Sequence, residues 1–223
     1  MRARRTPPPS DRPGDRTRSS RAEQEVPMPA MSVLEAAFCR SGPWRAIARR
    51  AILPWALQGV ELHGEVLELG SGSGAMAVGV ARSFPSVQLT VSDVDPAMVA
   101  AAARLLGDRG NVIVDQADVT ALPYPDGAFE FVTSCLMLHH VVDWRRGLQE
   151  VARVLRPGGT FVGYDLADTS IASAVHVIDR SPYLLLDPDD LHRELLEAGF
   201  VDVAVRAGFA GTVARFLARR STP

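Results

Sequence analysis

The chain contains no lysine: its 24 strongly basic side chains are all arginine. That absence removes a Walker-A phosphate loop, a Schiff-base lysine and the Tyr–Lys pair of short-chain dehydrogenases together, because each relies on a primary amine. Cysteine is scarce as well. Cys39 and Cys135 lie far apart beside apolar neighbours, too few for a disulfide framework or a zinc cluster, and point to a reducing cytoplasm. No apolar run approaches the ~20 residues of a membrane-spanning helix. No apolar segment follows the paired arginines of "MRARRTPPP", so an export signal is not expected either. The formal net charge is only -2, which gives no electrostatic reason to expect nucleic acid or an anionic membrane as a partner.

What is present is 223 residues with 47% hydrophobic side chains, enough for one domain with a sizeable core. Residues 1–30 are rich in Arg, Pro and Ser and nearly free of large apolar side chains, so a disordered tail is expected there. Met28 and Met31 offer later translation starts. Residues 31–60 carry apolar side chains at helical spacing, interrupted at Pro43 and Pro54, and read as a helical segment that folds over a ligand as a lid. From 61 to 223 strands and helices alternate. Strand-like runs are "EVLEL", "VQLTVS", "NVIVDQ", "FEFVTS", "TFVGYD", "VDVAVR" and "TVARFLA". Helical patterns cover Ala75–Phe84, Pro96–Leu106, Trp144–Leu155 and Asp189–Ala198, with "DPAMV" and "DPDDL" as starts. This alternation predicts an α/β fold, a parallel sheet covered by helices on both faces. Between the last two strands "RAGFAG" can only turn, so they pair as an antiparallel hairpin at the sheet edge.

The segment "GEVLELGSGSGAMAVGVA" raises the functional question. Gly70, Gly72 and Gly74 stand at alternate positions between the first strand and its helix, where ligands of doubly wound sheets bind. One reading is a tight turn that binds nothing. A second is a dinucleotide loop, GxGxxG/A, met by Gly70, Gly72 and Ala75, with Asp93 near the distance of a ribose acid. Against it, the third glycine is displaced, and Glu68 places a carboxylate near a pyrophosphate. The third is S-adenosylmethionine, which has no phosphate but carries an ammonium, a sulfonium and a carboxylate. Glu68 suits the cationic end and the exposed amides of Gly70–Gly74, Ser71 included, suit the carboxylate.

With those residues in view, 60–166 resembles a class I S-adenosylmethionine-dependent methyltransferase of the broad small-molecule type. "VLELGSGSG" matches the family's first motif, and "TVSDVDPAMVAAA" is similar to the second. "DQADVTALPYPDGAFEFVTSCLMLHHV" resembles the next two and "LQEVARVLRPGGTFVGYDL" the last. The resemblance implies a three-layer, Rossmann-like, seven-stranded sheet, mostly parallel with an antiparallel last strand. It implies that Asp93, beside Val94, receives the ribose hydroxyls, that Asp118 accepts from the adenine amino group with the Val119 amide near a ring nitrogen, and that Ser134 and Cys135 present backbone to the methionine part. Asp95 reads instead as the cap of the helix starting at Pro96. One departure is Glu130, where the family's fourth strand often begins with aspartate. "RPGG", Arg156–Gly159, reads as a turn without chemistry.

His139 and His140 follow the fourth strand, close to where a methyl acceptor must lie. Methyl transfer rests mostly on alignment, and a base is required only where the acceptor must lose a proton. Either histidine could serve as that base, or pack and cap. With Asp143 and Asp165 they can be drawn as a metal site, but the spacing is not diagnostic and no metal is expected. The acceptor pocket is expected between the helical segment with Phe38, Trp44 and Trp55 and the stretch "ADTSIASAVHVIDRSPYLLLDPDD", where His176 and Tyr183 are candidate polar contacts. Its apolar residues suit a hydrophobic small molecule, or a second subunit in a homodimer. The reading is therefore methyl transfer from S-adenosylmethionine to oxygen, nitrogen or carbon of a small-molecule acceptor. The alternatives are a nicotinamide-dependent oxidoreductase and a non-catalytic cofactor-binding protein.

Overall fold

The structure, a computed structural model, describes residues 46–167 and 186–222. The expected tail, Phe38, Cys39, Trp44, His176 and Tyr183 lie outside the described residues.

Seven strands form one sheet: β1 Glu65–Leu69, β2 Gln88–Asp93, β3 Val112–Gln116, β4 Phe129–Cys135, β5 Leu155–Leu166, β6 Phe200–Gly208 and β7 Val213–Arg220. Their order is β3-β2-β1-β4-β5-β7-β6. β1 to β5 pair in parallel, while β7 runs antiparallel to both β5 and β6. The three-layer architecture and the reversed last strand follow the sequence expectation. Among the described residues five α-helices accompany the sheet: α1 Leu53–Leu57, α2 Ala75–Ser83, α3 Pro96–Leu106, α4 Trp144–Val154 and α5 Pro188–Glu197.

Alternation along each strand divides the core. Val66, Leu89, Val91, Phe131 and Val162 join α1, α2 and α3 on one face. Leu67, Leu69, Val132 and Phe161 join α4 and α5 on the other, around Trp144, Leu148 and Leu191. Three helices begin on an aspartate whose carboxylate receives the orphan amides of the first turn. Asp95 accepts from Ala97, Asp143 from Arg146, and Asp187 from Asp189 and Asp190. α2 differs: its cap is Gly74, which has no side chain to offer.

One local feature differs from the expected pattern. Arg156–Gly159 is not a free turn but an extruded segment inside β5, because Phe129 pairs with Leu155 and Phe131 already with Thr160. Pro157 has no amide to give the ladder and Gly158 takes φ +76, so the chain steps out there. Glu130 stands opposite the step, paired with Arg156 and accepting the Glu65 amide at 2.7 Å. Its role is to tie the start of β1 to β4. The described part of the helical segment, a π-turn Ala48–Ile52 followed by α1, is built into the core through Leu53, Ala56 and Leu57. Pro54 falls in the first turn of α1, where its missing amide costs nothing.

Candidate functional site

β1 lies between β2 and β4, where the strand order reverses, and the crevice beyond its carboxyl end is the switch point of the sheet. A cavity of about 390 Å³ opens there. Four connections wall it: Leu69, Gly70 and Gly72 after β1; Ser92 to Pro96 and Met98 after β2; Ala117 and Val119 after β3; Leu136, Met137, His140 and Val141 after β4. Its walls are mostly apolar, with two acids, Asp93 at the end of β2 and Asp95 just beyond it.

The loop after β1 runs through left-handed backbone that glycine adopts without strain. Gly70, Gly72 and Gly74 have φ of +59, +53 and +84. The Gly72 amide donates to Asp93 Oδ2 at 2.8 Å, and the Asp95 amide to Asp93 Oδ1 at 2.9 Å. A side chain at Gly70 would sit 2.0 Å from Met137 Cγ, so that glycine is required by packing. At Gly72 a Cβ would meet nothing within 4 Å. That glycine faces open cavity, where backbone can be approached closely. Burial pushes the Asp93 carboxyl above its ordinary range, while the Asp95 and Gly72 amides oppose the shift.

Glu68 sits behind this loop, 2% exposed. Its carboxylate takes the Ala77 amide, the third residue of α2, and so caps from a neighbouring strand the helix that Gly74 cannot cap. Its Oε2 is buried without a partner. Burial pushes the carboxyl from 4.5 up to about 8, with the Ala77 amide pulling the other way. Between those values the folded protein holds a proton that the unfolded chain releases, so this contribution to stability is full below about pH 4.5 and is lost as pH rises through 8. Glu68→Gln should therefore melt higher than the parent at pH 9, with the gap closing at pH 5. A gap that stays constant across a pH series of melting curves would contradict the assignment.

The connection after β4 is organised by one buried acid. Asp165, fully buried near the end of β5, accepts the amides of Met137 at 3.0 Å, Leu138 at 2.6 Å and Leu166 at 2.7 Å, and bonds His139 Nδ1. Burial raises its carboxyl, but His139 and the amides outweigh that and hold it below the ordinary range. His139 is 4% exposed, and its ring lies 3.9 Å from that of His140, centroid to centroid.

The cavity brings together Gly70, Gly72, Asp93, Val94, Val119 and His140 from the residues singled out by sequence. Glu68, Ser71, Gly74, Asp118, Ser134, Cys135 and His139 do not line it. Ser71 donates its amide to the Ser92 carbonyl at 2.9 Å, closing the loop onto β2. Asp118 caps the 3-10 turn Val119–Ala121 by accepting the Thr120 amide and hydroxyl on Oδ1. Ser134 is fully buried. Burial, helped by Glu68 and Asp165, pushes the Cys135 thiol up, so it is no nucleophile. Sequence reasoning did not single out Met98, Leu136, Met137 or Val141 as wall residues, nor Asp165 as an anchor. Among the described residues no cluster of metal-ligating side chains is present, and no helix is long and apolar enough to cross a membrane.

Comparison with known proteins agrees with this geometry. Residues 67–163 match the model of a methyltransferase domain. The demethylmenaquinone methyltransferase of Clavibacter sepedonicus is 32% identical over 196 residues, covering 77% of each chain. The chain belongs to the class I S-adenosylmethionine-dependent methyltransferases. A second relative of this methyltransferase, the demethylmenaquinone methyltransferase of Thermus thermophilus, is 36% identical over 124 residues, 53% of this chain and 56% of that one. Among solved structures, Haemonchus contortus phosphoethanolamine N-methyltransferase 2, in complex with S-adenosyl-L-methionine, superposes with a TM-score of 0.64. At 19% identity, covering 77% of this chain and 52% of that one, it shows a shared fold. These comparisons favour methyl transfer over the nicotinamide-dependent alternative.

Proposed function

We propose that this methyltransferase binds S-adenosylmethionine in the cavity at the carboxyl ends of β1, β2 and β4 and methylates a ring carbon of a demethylquinone in its reduced, quinol form. The observation that carries the cofactor assignment is the pairing of Gly72 and Asp93: an unobstructed glycine whose amide is tied to a carboxylate on the cavity lip. The donor set fits the group. Asp93 retains lone pairs for ribose hydroxyls, Met98 and Val119 offer apolar faces to a base, and Ser71 Oγ, Ser73 Oγ and Glu68 Oε2 are buried around the loop without partners. Glu68 acts through the loop and the start of α2, and Asp118 through the turn that presents Val119.

When bound, the cofactor supplies a methyl group on a sulfonium sulfur, whose S–C bond breaks as the new bond forms, its electron pair leaving on a neutral thioether. The acceptor class rests on the two relatives, both named demethylmenaquinone methyltransferases. A quinone ring carbon is electron-poor and does not attack such a methyl group. A quinol that has lost a hydroxyl proton does, through the ring carbon beside the oxygen; the ring proton then moves to that oxygen and restores the quinol. One proton is released per methyl. His140, in the wall after β4, accepts it. The apolar surfaces of Leu136, Met137 and Val141 hold the ring and exclude water.

The decisive experiment incubates the protein with methyl-labelled S-adenosylmethionine and a short-chain demethylmenaquinone, with and without reductant. Labelled menaquinol is expected only in the reduced sample; label in neither sample would remove the quinol as acceptor. Asp93→Ala should weaken S-adenosylhomocysteine by roughly 1–3 kcal/mol in calorimetry through lost charge-assisted bonds. Unchanged affinity would move the ribose elsewhere.

A further inference from the structure

Asp165 gathers more donors than the end of a strand needs. Three backbone amides and a histidine ring converge on one fully buried carboxylate, and two of those amides, with the ring, belong to the three consecutive residues Met137, Leu138 and His139. The chain there has little regular ladder to define it. Leu136 takes φ +55, a conformation that a branched side chain rarely holds, and a single 3-10 turn covers Leu138–His140. His140 enters the cavity wall as the last residue of this turn, its amide on the Met137 carbonyl at 3.0 Å and its ring against that of His139 at 42°.

We propose that Asp165 is a positioning residue for methyl transfer: it fixes the loop after β4 and, through His139, sets the place and orientation of the His140 ring in the cavity wall. A buried charge persists only where its partners satisfy it, so the loop cannot relax without stranding the carboxylate. His139, bonded at Nδ1, cannot turn without breaking that bond, and its face limits the rotation of His140. The Cys135 thiol senses both Asp165 and Glu68, and the bond that orients the His139 ring is that of its Nδ1 to Asp165. Met137 is fixed by the same bonds, and its side chain closes over Gly70. The proposal rests on the reading of this cavity as the methyl-transfer site, but its structural half can be measured without that reading.

The test uses the full chain labelled with 15N-histidine, as Asp165→Asn and His139→Gln. Asparagine keeps the size and one acceptor oxygen but loses the charge; glutamine leaves Asp165 its amides and removes the ring beneath His140. Both variants are expected to bind S-adenosylhomocysteine within about twofold of the parent, to displace the His140 ring resonances, and to lower kcat with the quinol at least about tenfold while KM changes less than about threefold. His140 resonances that stay in place in either folded variant overturn the proposal whatever the acceptor proves to be, and so does an undiminished kcat. If Asp165→Asn does not fold, His139→Gln decides alone. A parent protein that binds no S-adenosylhomocysteine sinks the reading of the cavity instead, and the resonances still report on the positioning.

Discussion

Gly72→Val should give a folded protein that has lost S-adenosylhomocysteine binding by at least about 100-fold, or roughly 2.7 kcal/mol. Two independent costs lead there. At φ +53 a β-branched residue pays about 1–2 kcal/mol for a left-handed backbone, and relieving it rotates the amide away from Asp93 Oδ2. The added Cβ also projects into the open cavity, meeting no side chain or backbone beyond its chain neighbours within 4 Å, in the space a ligand must use. The fold should survive for that same reason, since the added Cβ strikes nothing and points into the cavity. Calorimetry beside a circular-dichroism melt separates the two effects. Normal affinity in the valine variant would refute close approach at Gly72. Gly70 offers the contrast: a side chain there collides with Met137, so its substitution should damage the loop itself.

His140→Gln should leave the cofactor affinity within about twofold and lower kcat by roughly 10²–10⁴-fold, the range over which a positioned base acts. Glutamine keeps a polar group in the wall after β4 but cannot take a proton. The loss should therefore fall on kcat, with little change in KM for the quinol, since the apolar surfaces of Leu136, Met137 and Val141 remain. A variant turning over at the parent's rate would exclude His140 as base and leave alignment and water exclusion to account for catalysis. Retained binding without turnover of any acceptor by the parent would favour the cofactor-binding alternative.

Much of the fold was legible because local signals agreed with the tertiary result. Asp95 before Pro96 caps α3 at its first turn, and the helix spans Pro96–Leu106 as the spacing predicts. "RAGFAG" between two β-rich runs could only turn, and β6 and β7 form the hairpin. What stayed hidden depended on register and on which face a side chain takes. Nothing local in "RPGG" tells a turn from a segment extruded opposite Glu130, because the difference lies in which residue of β4 pairs with Leu155. Glu68 is adjacent to the loop in sequence, yet it points to the α2 side, where the Ala77 amide meets it. His139 and His140 are neighbours with identical chemistry, and only the 3-10 turn sends one inward to Asp165 and the other to the cavity. Asp165 left a signal that could have been followed: an acid inside the apolar run "TFVGYDL", in a strand flanked on both sides, must be buried and must therefore find donors.

The position of β1 in the sheet has a consequence for the nascent chain. Its partner β2 follows closely, but β4, which contributes the wall with Met137 and His140, begins only at Phe129, and the acid that steadies that wall arrives later still, at Asp165. A polypeptide emerging from the ribosome thus carries its glycine bend long before it owns a pocket. Methyl donor can stabilise the finished molecule by mass action, yet it cannot shepherd the first half towards it.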